Sequence, residues 1–506
     1  MVHHMRIGSI VSIQTIVICI SLFLSVFISS SIAGVTGAYT VSGTTATLSD
    51  TTITTSVTNQ SGVLVTASGN LTLTNSQITT SSATTSTDSA NFYGQAAAVL
   101  AQAGSTITIS DCNVKTTGKG ANGVFATGQN ALITLTNDTI YCENAVAHGI
   151  DATVGAKMVC KNVVITTKGN GASGAIATDR GSGTIELTQV TATTYGTGSP
   201  TIYSTGDITG TDCILYSDTS SGVVIEGANS VKLTNSSLAG GINGVHMHMS
   251  TSGDTYGTTP AFKMTGGSLT CKHGALLHAT NVNAQCTLSN VSTTVPTDTL
   301  MYADSAKYGG GILNLVAINQ SLSGIIWADK YSAVNVTLTE SSSLTGSINT
   351  AKTANSASIS LDSTSTWTVT AESHVTSMTN AGISGTTAPN ITGNGNTVFY
   401  NSDSSSSLGG KTYTLVNGGY LVPEGTILSV NTPVLHIDQS QSTCIKTSSG
   451  RIILDGQIGN KGTQINIYDL QGKFLCGKTI TKNIADIRND FGISQGTYII
   501  KASKIK

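Results

Sequence analysis

The chain has 506 residues, of which only 10% are Asp, Glu, Lys or Arg, and its formal net charge at pH 7 is −2. This composition excludes the basic surface with which proteins bind nucleic acid, so we expect no nucleic-acid partner. Six prolines are too few for a disordered proline-rich stalk. The many Gly, Thr and β-branched residues predict short strands separated by turns, and therefore an all-β protein.

Residues 1–33 have the layout of a secretory signal peptide. A basic start that contains Arg6 precedes an apolar stretch over residues 16–28, and small residues follow up to Ala33. This order of regions is typical of a segment that is removed during export. A transmembrane anchor is the alternative, because the apolar run could be extended toward the length that a bilayer needs. We expect a cleaved signal and an exported mature chain.

Residues 34–332 contain a repeat with a period of 23–27 residues. Each copy alternates apolar and polar residues and ends on an amide or carboxyl side chain, as in Ile133-Thr-Leu-Thr-Asn137. Such alternation is typical of a strand with one buried face, and one copy has too little apolar surface to fold alone. The repeat therefore predicts stacked coils of a right-handed parallel β-helix. An antiparallel sandwich would also alternate, but it does not need the same amide position in every coil.

The amide position of the repeat is expected to form a ladder at a turn. Asn and Asp tolerate the left-handed backbone that such bends require, and their side chains can hydrogen bond to backbone and to each other. We predict that the following residues lie above one another: Asn75, Asp111, Asn137, Asn162, Gln189, Asp212, Asn235 and Asn290.

Eight cysteines remain after removal of the predicted signal, an even number that would permit a disulfide framework. The repeat register argues against it. Cys112 and Cys213 share a column but lie four coils apart, on the order of 19 Å at β-spacing, whereas a disulfide needs Cα atoms within roughly 7 Å. We expect free cysteines in the repeats. The pairing of Cys444 and Cys476 stays open.

Residues 333–437 differ in texture from the repeats, with the motifs Leu344-Thr-Gly346 and Ser365-Thr-Trp367. Over roughly residues 320–420 the chain resembles the distal β-helix of autotransporter-type adhesins. The resemblance implies a distal segment that covers the open end of the stack, where unpaired backbone would otherwise aggregate. Trp367 is expected to fill the core there.

Residues 438–506 regain charged residues, and the alternation around Asp469-Leu-Gln-Gly472 predicts a hairpin. A final strand, Gly496-Thr-Tyr-Ile-Ile-Lys501, follows. This segment is similar to the C-terminal sorting domain of the type IX secretion system, although residues 487–494 depart from that pattern. The resemblance implies a small β-sandwich, recognition by the outer-membrane secretion machinery, and a location at the cell surface or outside the cell. The alternative is an ordinary sandwich domain without an export role. The motif residues are Tyr468, Asp469, Gly472, Lys473, Gly496, Tyr498 and Lys501.

The best catalytic candidate in the repeats is Asp179-Arg180, with Asp151 one coil earlier. Polysaccharide lyases and hydrolases need clustered carboxylates, or a set of carboxylate, metal and Arg or Lys, on one face. The repeat alignment puts Asp151 in one column with Phe125 and Ile176, and an isolated Asp-Arg pair in a turn is usually a solvated surface pair. We therefore expect no catalytic residues and no cofactor.

His246 and His248 alternate on one strand face and are the best metal-binding candidates in the sequence. No third ligand stands at a recognisable spacing, which favours two outward imidazoles without a metal.

These observations predict an adhesin-like or structural cell-surface protein without enzymatic activity. The alternatives are a polysaccharide-degrading β-helix enzyme of the pectate-lyase type and a carbohydrate-binding module. A glycan or protein ligand, from a host or from the environment, is expected to contact the loops that break the period, at residues 84–92, 250–260 and 296–309.

Overall fold

A computed structural model describes residues 35–250, 257–306 and 309–426. In the C-terminal region it describes residues 444–448, 451–455, 462–468, 473–481, 484–486, 490–491 and 499–504. The chain divides into two compact units, residues 1–421 and residues 422–506. The predicted signal peptide, residues 1–33, lies outside the described residues.

The first unit is a parallel β-solenoid of about 15 turns, which confirms the all-β, parallel repeat fold. Three stacked sheets form its walls. Sheet 1 is built from the strands Thr36–Ser42, Gln60–Thr66, Val99–Ala101, Val124–Thr127, Ile150–Thr153, Ile176–Asp179, Ile202–Ser204, Val223–Glu226, Val245–His248, Leu277–Thr280, Thr299–Ala306, Gly309–Gly310 and Ile325–Ala328.

Sheet 2 contains two strand positions per coil over most of its length. Strands at the first position are Thr45–Ser49, Asn70–Thr74, Thr106–Ser110, Leu132–Thr136, Lys157–Lys161, Thr184–Thr188, Asp207–Thr211, Asn283–Ser289, Ile312–Ile318, Ala333–Thr339, Ser356–Leu361 and Ser377–Asn380. Strands at the second position are Thr52–Thr55, Gln77–Thr80, Asn113–Thr116, Thr139–Cys142, Val164–Thr167, Thr191–Thr194, Ile214–Ser217 and Ser292–Thr294, while Ser230–Gly240 and Ala261–Cys271 span both positions.

Sheet 3 belongs to the distal coils. Its strands are Ser321–Ser323, Ser343–Gly346, Thr366–Val369, Ser373–Val375, Thr387–Thr392, Thr397–Tyr400, Tyr413–Val416 and Tyr420–Pro423. The described residues of the first unit also contain a helix, Thr87–Tyr93, and a 3-10 turn, Ser406–Leu408. Sheet 2 continues across residues 332 and 333 without interruption, because Ile312–Ile318 pairs in parallel with Ala333–Thr339.

The register of the coils places equivalent repeat positions directly above one another. Ile133 pairs with Ile107 of the coil before and with Met158 of the coil after. The side chains of all three point inward and are fully buried. Each such side chain stabilises the fold by roughly 1.5–3 kcal/mol relative to an exposed one. The core is therefore a set of continuous apolar columns.

The ladder residues lie between the two strand positions of sheet 2, each with a left-handed φ between 47° and 59°. The Asn137 amide donates to the Asp111 carboxylate at 3.1 Å, and the Asn162 amide donates to the Asn137 oxygen at 2.8 Å. Asp50 and Asn319 extend the same pattern at the two ends. Amide side chains thus bridge neighbouring coils at the turn.

A second polar column, missing from the repeat alignment, follows the ladder by one residue. The left-handed turn aims the next backbone N–H inward, where water cannot reach it. A polar side chain of the following coil accepts that N–H: Asp138 from Cys112 at 2.8 Å, and Ser236 from Cys213 at 3.0 Å. Ser76, Gln320 and Ser342 do the same in other coils. Buried backbone donors are satisfied in this way.

The cysteines of the repeats are free and buried, as the register predicted. Desolvation raises the pKa of the Cys142 thiol to about 12, so this thiol stays protonated and unreactive. Cys476 is also free, whereas the side chain of Cys444 lies outside the described residues.

Trp367 fills the distal core, as expected. It is fully buried, stacks in register on Leu344, and donates its indole N–H to the Gly346 carbonyl at 3.0 Å. Within sheet 3, Tyr413–Val416 pairs antiparallel with Tyr420–Pro423.

The second unit contains antiparallel strands. Cys444–Ser448, Arg451–Asp455 and Ile484–Asp486 form one sheet, and Phe474–Ile480, Thr463–Tyr468 and Ile499–Lys504 form another. Thr463–Tyr468 and Phe474–Ile480 are the two strands of the predicted hairpin, and the ring centroids of Tyr468 and Phe474 lie 5.5 Å apart. Asp469, Gly472, Gly496 and Tyr498 lie outside the described residues; Lys473 precedes the second hairpin strand, and Lys501 lies in the last strand.

The ladder generates a first prediction. Asn137→Ala removes both side-chain bonds and leaves a β-carbon in the left-handed region, so it destabilises the solenoid by about 1–2 kcal/mol. Asn137→Gly loses the same bonds but tolerates the backbone; Gly266 occupies this column naturally with φ 65°. We expect chemical denaturation to rank Asn137→Ala below Asn137→Gly in the free energy of unfolding. Equal values would show that backbone conformation does not govern this column.

The second column generates a prediction about pH. Burial raises the pKa of Asp138 from 3.8 to about 6, against the opposing effect of hydrogen bonds from the Cys112 and Thr136 backbone. A raised pKa means that the folded state keeps the proton to a higher pH than the unfolded state does. Stability due to this group is therefore complete below pH 3.8 and is lost as pH rises through about 6, by about 3 kcal/mol.

Asp138→Ser is the matched variant, because Ser236 and Ser76 accept the same N–H in other coils. Denaturation at pH 4 and pH 7.5 should show a smaller loss of unfolding free energy for the variant than for the unmodified chain. An identical loss of unfolding free energy between the two pH values in both proteins would contradict the raised pKa of Asp138.

Candidate functional site

Sheet 1 presents two columns of outward side chains, since alternate residues of a strand face opposite sides. The first column runs through Phe125, Asp151, Ala177, Tyr203, Val224, His246, His278, Tyr302 and Trp327. The second column includes Thr127, Thr153 and Asp179, and further along Glu226, His248, Thr280 and Asp304. Most polar and aromatic groups that can recognise a ligand on this sheet stand in these columns.

Four rings of the first column stack continuously. Centroid separations are 4.4 Å between His246 and His278, 4.9 Å between His278 and Tyr302, and 4.2 Å between Tyr302 and Trp327. The planes are within 23° of parallel. These separations match the distance between stacked strands, so the coil spacing itself brings the rings into contact. We call this row the ring stack.

The second column supplies hydrogen-bond partners to the ring stack. The Asp304 carboxylate lies 3.1 Å from the His278 ring nitrogen and accepts from the Thr280 hydroxyl at 2.6 Å. His246 contacts the same hydroxyl at 3.2 Å. Glu226 is buried, accepts from Tyr203 at 2.5 Å and from Ser250, and lies 3.9 Å from His248.

Burial and neighbouring charges set the protonation of these groups. Desolvation, reinforced by the other imidazoles, lowers the pKa of His246 well below its usual value. Desolvation also lowers the pKa of His248, although Glu226 opposes it. Burial acts to raise the pKa of Asp304, but the hydrogen bonds from His278 and Thr280 outweigh it, so the net shift is downward. At neutral pH, His246 and His248 are neutral and Asp304 is ionised.

An aromatic patch ends the ring stack. It consists of Tyr302, Asp304, Trp327, Asp329 and Tyr331, contributed by two successive coils. Trp327 is 37% exposed and Tyr331 is 61% exposed. The Asp329 carboxylate accepts from the Ser305 backbone at 2.9 Å and from the Tyr331 backbone at 3.0 Å, which ties the two coils together.

The opposite end of this face holds a cleft of about 250 Å³. The helix Thr87–Tyr93 lies over sheet 1 here, capped by Ser86 at its start and by left-handed Gly94 at its end. Its Phe92 carbonyl accepts from the Thr153 hydroxyl at 2.9 Å, which anchors the helix end to the sheet. The lining includes Asn91, Phe92, His148, Asp179, Pro200 and Tyr203.

Three ligand-type side chains meet at this cleft. One ligand atom each from His148, Asp151 and Asp179 lies within 4.8 Å of the others, and all three residues are buried. Asp151 stands on Ile150–Thr153 and Asp179 ends Ile176–Asp179 one coil later, in register with Thr153. His148 precedes the first of these strands, and its backbone N–H donates to Asn122 at 2.7 Å.

Burial favours the uncharged forms of His148 and Asp151. Burial lowers the pKa of His148 to about 4, and the Gly174 backbone opposes that shift only in part. Burial and then the nearby Asp179 charge raise the pKa of Asp151 well above its usual value. By distance and angle, neither oxygen of Asp151 and neither ring nitrogen of His148 has a hydrogen-bond partner. The backbone of Gly174 nevertheless acts on the pKa of His148, and the backbones of Asp179 and Ala152 act on the pKa of Asp151. Two buried carboxylates and an imidazole are an arrangement for proton transfer or for metal binding.

The candidate residues thus lie in unequal surroundings. Asp151 is flanked in its column by Phe125 and by Ala177, so the expected neighbour Ile176 was wrong by one residue, although both true neighbours are apolar. None of these candidate residues belongs to the turn that carries the amide ladder. Arg180 extends over the Phe92 ring, with 4.8 Å between the guanidinium and the ring centroid.

His148 was missed because it lies just before the repeated Gly149 and outside the strand pattern. His246 and His248 point outward as expected. Their rings stack with centroids 5.0 Å apart, and His246 belongs to the ring stack. The signal that could have found this row is the equal spacing of ring-bearing positions on successive coils.

Two of the loops proposed as ligand sites differ from expectation. Residues 84–92 are largely a short helix that lies over sheet 1, and residues 296–309 contain Thr299–Ala306, which is itself a strand of sheet 1. Residues 251–256 of the third loop lie outside the described residues.

The fold defines a parallel β-solenoid, and the columns of sheet 1 define a surface with the polar and aromatic character of a binding site. No protein-family model matches the chain, and no curated protein is significantly similar to it. Within the part of the chain that the structure describes, no helix is long and apolar enough to cross a membrane.

Proposed function

We propose that this protein is an exported, non-enzymatic solenoid of the cell surface that binds neutral polysaccharide through the aromatic patch of sheet 1. The observation that carries the proposal is the exposure of Trp327 and Tyr331 beside two ionised carboxylates, Asp304 and Asp329. Aromatic faces and carboxylate acceptors are complementary to the C–H and O–H surfaces of a sugar ring.

The position of the patch follows from the ring stack. His278 and Tyr302 have both faces covered by neighbouring rings, so only their polar edges are open to a ligand. Trp327 is the last ring of the stack within the described residues, and Tyr331 is more exposed still. A sugar ring would therefore stack at the end of the row and hydrogen bond along its edge.

Charge favours neutral polymers. Asp304 and Asp329 have lowered pKa values; for Asp329, hydrogen bonds from Ser305 and Ser332 outweigh the upward effect of burial. The imidazoles of His246 and His248 are neutral at pH 7 for the reasons given above. Lys330 is the cation nearest the patch in sequence and lies over the Tyr331 ring at 4.8 Å. A polyuronate would meet repulsion here, whereas uncharged hydroxyls would meet acceptors.

Polysaccharide cleavage is the second candidate, favoured by the carboxylates of Asp151 and Asp179 at the cleft. Asp179 lines the cleft, whereas Asp151 is fully buried behind it, which does not favour a pair of carboxylates that both reach a bound sugar. Arg180 is the one arginine between residues 7 and 450 and rests on Phe92. These placements support binding without turnover.

We expect the full chain to bind neutral glycans on an array and to leave them uncleaved. Trp327→Ala should lower the affinity by about ten-fold because it removes the exposed stacking face, a loss of roughly 1.4 kcal/mol. Asp304→Asn should also weaken binding. Calorimetry measures the affinity, and an assay for new reducing ends measures cleavage.

Tyr195→Ala is the matched control: this tyrosine is 46% exposed and follows a strand of sheet 2. Binding that is unaffected by Trp327→Ala, or that is restricted to polyuronates, would refute the binding proposal. Products that disappear in Asp151→Ala or Arg180→Ala would establish the cleavage function instead.

Export through an outer-membrane secretion machinery is the remaining part of the proposal. The similarity of residues 438–506 to type IX sorting domains supports it, as does the antiparallel pairing of Thr463–Tyr468 with Phe474–Ile480 and Ile499–Lys504. The signal-like residues 1–33 would supply the first membrane crossing.

Deletion of residues 438–506 should leave the solenoid in the periplasm of a bacterium that has type IX secretion. Cell fractionation and surface protease digestion measure its location. The deleted protein should keep its β circular-dichroism spectrum, which separates a sorting defect from misfolding. Unchanged surface display of the folded, deleted protein would remove the sorting assignment.

A further inference from the structure

We propose that His148, Asp151 and Asp179 bind one divalent transition-metal ion of the Zn²⁺ class at the inner end of the cleft. This site is separate from the aromatic patch and does not depend on the proposed polysaccharide binding. It brings together residues from two successive coils and from the segment before the first of them.

The geometry is close to that of a coordination shell. The three ligand atoms lie within 4.8 Å of one another. Zn²⁺ holds nitrogen and oxygen ligands at roughly 2.0–2.2 Å, so two ligands of one ion stand roughly 3–4 Å apart. Small side-chain rotations therefore suffice to close the three groups around an ion. Asp151 and Asp179 stand on paired strands, which restrains the distance between them.

Unpartnered polar atoms indicate that the cluster is built for a ligand. Both ring nitrogens of His148 and both carboxylate oxygens of Asp151 are buried without a hydrogen-bond partner. Leaving such a group unsatisfied costs about 1–3 kcal/mol, and more for a charged group. Apolar residues precede and follow Asp151 in its column, so an apolar side chain would suit the position better for packing alone. A bound cation would satisfy the Asp151 carboxylate and the His148 imidazole together.

The donor set selects the kind of ion. One imidazole nitrogen with two carboxylates suits Zn²⁺ and its first-row neighbours. Ca²⁺ takes six to eight oxygen ligands, which an imidazole-containing set of three does not provide. His148 and Asp179 line the cleft, so a coordination position would open toward Asn91 and Tyr203. Water, or a hydroxyl of a ligand in the cleft, could occupy that position.

The full chain without an affinity tag is the protein to test, stripped with a chelator and dialysed against Zn²⁺. Elemental analysis should find one Zn²⁺ equivalent that disappears in His148→Phe, Asp151→Leu and Asp179→Asn. In calorimetry each variant should lower the affinity of that site by at least roughly 100-fold. Co²⁺ substitution should give visible d–d absorption that the His148→Phe variant lacks.

The matched control is His246→Gln, which changes an imidazole of the ring stack on the same sheet. This variant should retain one bound Zn²⁺ per chain. Thermal unfolding in chelator guards against misfolding: Asp151→Leu should unfold at or above the temperature of the unmodified chain, because it removes an unpartnered buried carboxylate.

The proposal is overturned if no stoichiometric Zn²⁺ is bound, if the three cluster variants retain it, or if the His246→Gln control loses it. Preference for Ca²⁺ over Zn²⁺ would overturn the assigned ion class. None of these outcomes affects the glycan test, because Trp327 and Asp304 are unchanged throughout.

Discussion

In-register stacking of the coils is the constraint on which the rest of this structure depends. Parallel strands of successive coils exchange backbone hydrogen bonds, so a residue and its equivalent in the next coil must adopt the same conformation. The turn between the two strand positions of sheet 2 meets this requirement with a left-handed residue in coil after coil, as at Asn137 and Asn162. An error of one residue at this turn would exchange inward and outward side chains along the following strand.

Because of the same constraint, a structural feature of one coil recurs at the equivalent position of other coils and forms a column. An inward backbone N–H created by one left-handed turn recurs along the ladder, and several coils satisfy it with a polar side chain of the next coil, as Asp138 does for Cys112. Outward rings such as Tyr302 and Trp327 stack because the coil spacing matches the thickness of an aromatic contact. A solenoid can therefore assemble a binding surface from residues that are remote in sequence, without a dedicated loop.

The cluster at the cleft does not arise from this repetition of equivalent positions. Asp151 and His148 are buried without partners, which a structural role would not require, and their burial opposes stability. Residues that break local rules in an otherwise consistent repeat are the expected mark of a functional position. The helix Thr87–Tyr93 is another break in the repeat, and it forms part of the same cleft.

The sequence by itself determined the periodic part of this protein: parallel coils, the ladder column, the free repeat cysteines and the buried Trp367. The first three features follow from spacing, because residues one repeat apart become neighbours wherever coils stack in register, and the burial of Trp367 was expected from the resemblance of the distal segment. Only the tertiary structure decided what lies between equivalent positions. His148 meets Asp179 through the path of the chain before a strand, the segment 84–92 folds back as a helix, and the ring stack requires His278 and Tyr302 to fall in one column despite irregular repeat lengths. The repeat period does not determine these three arrangements, because they depend on how non-equivalent segments pack on sheet 1.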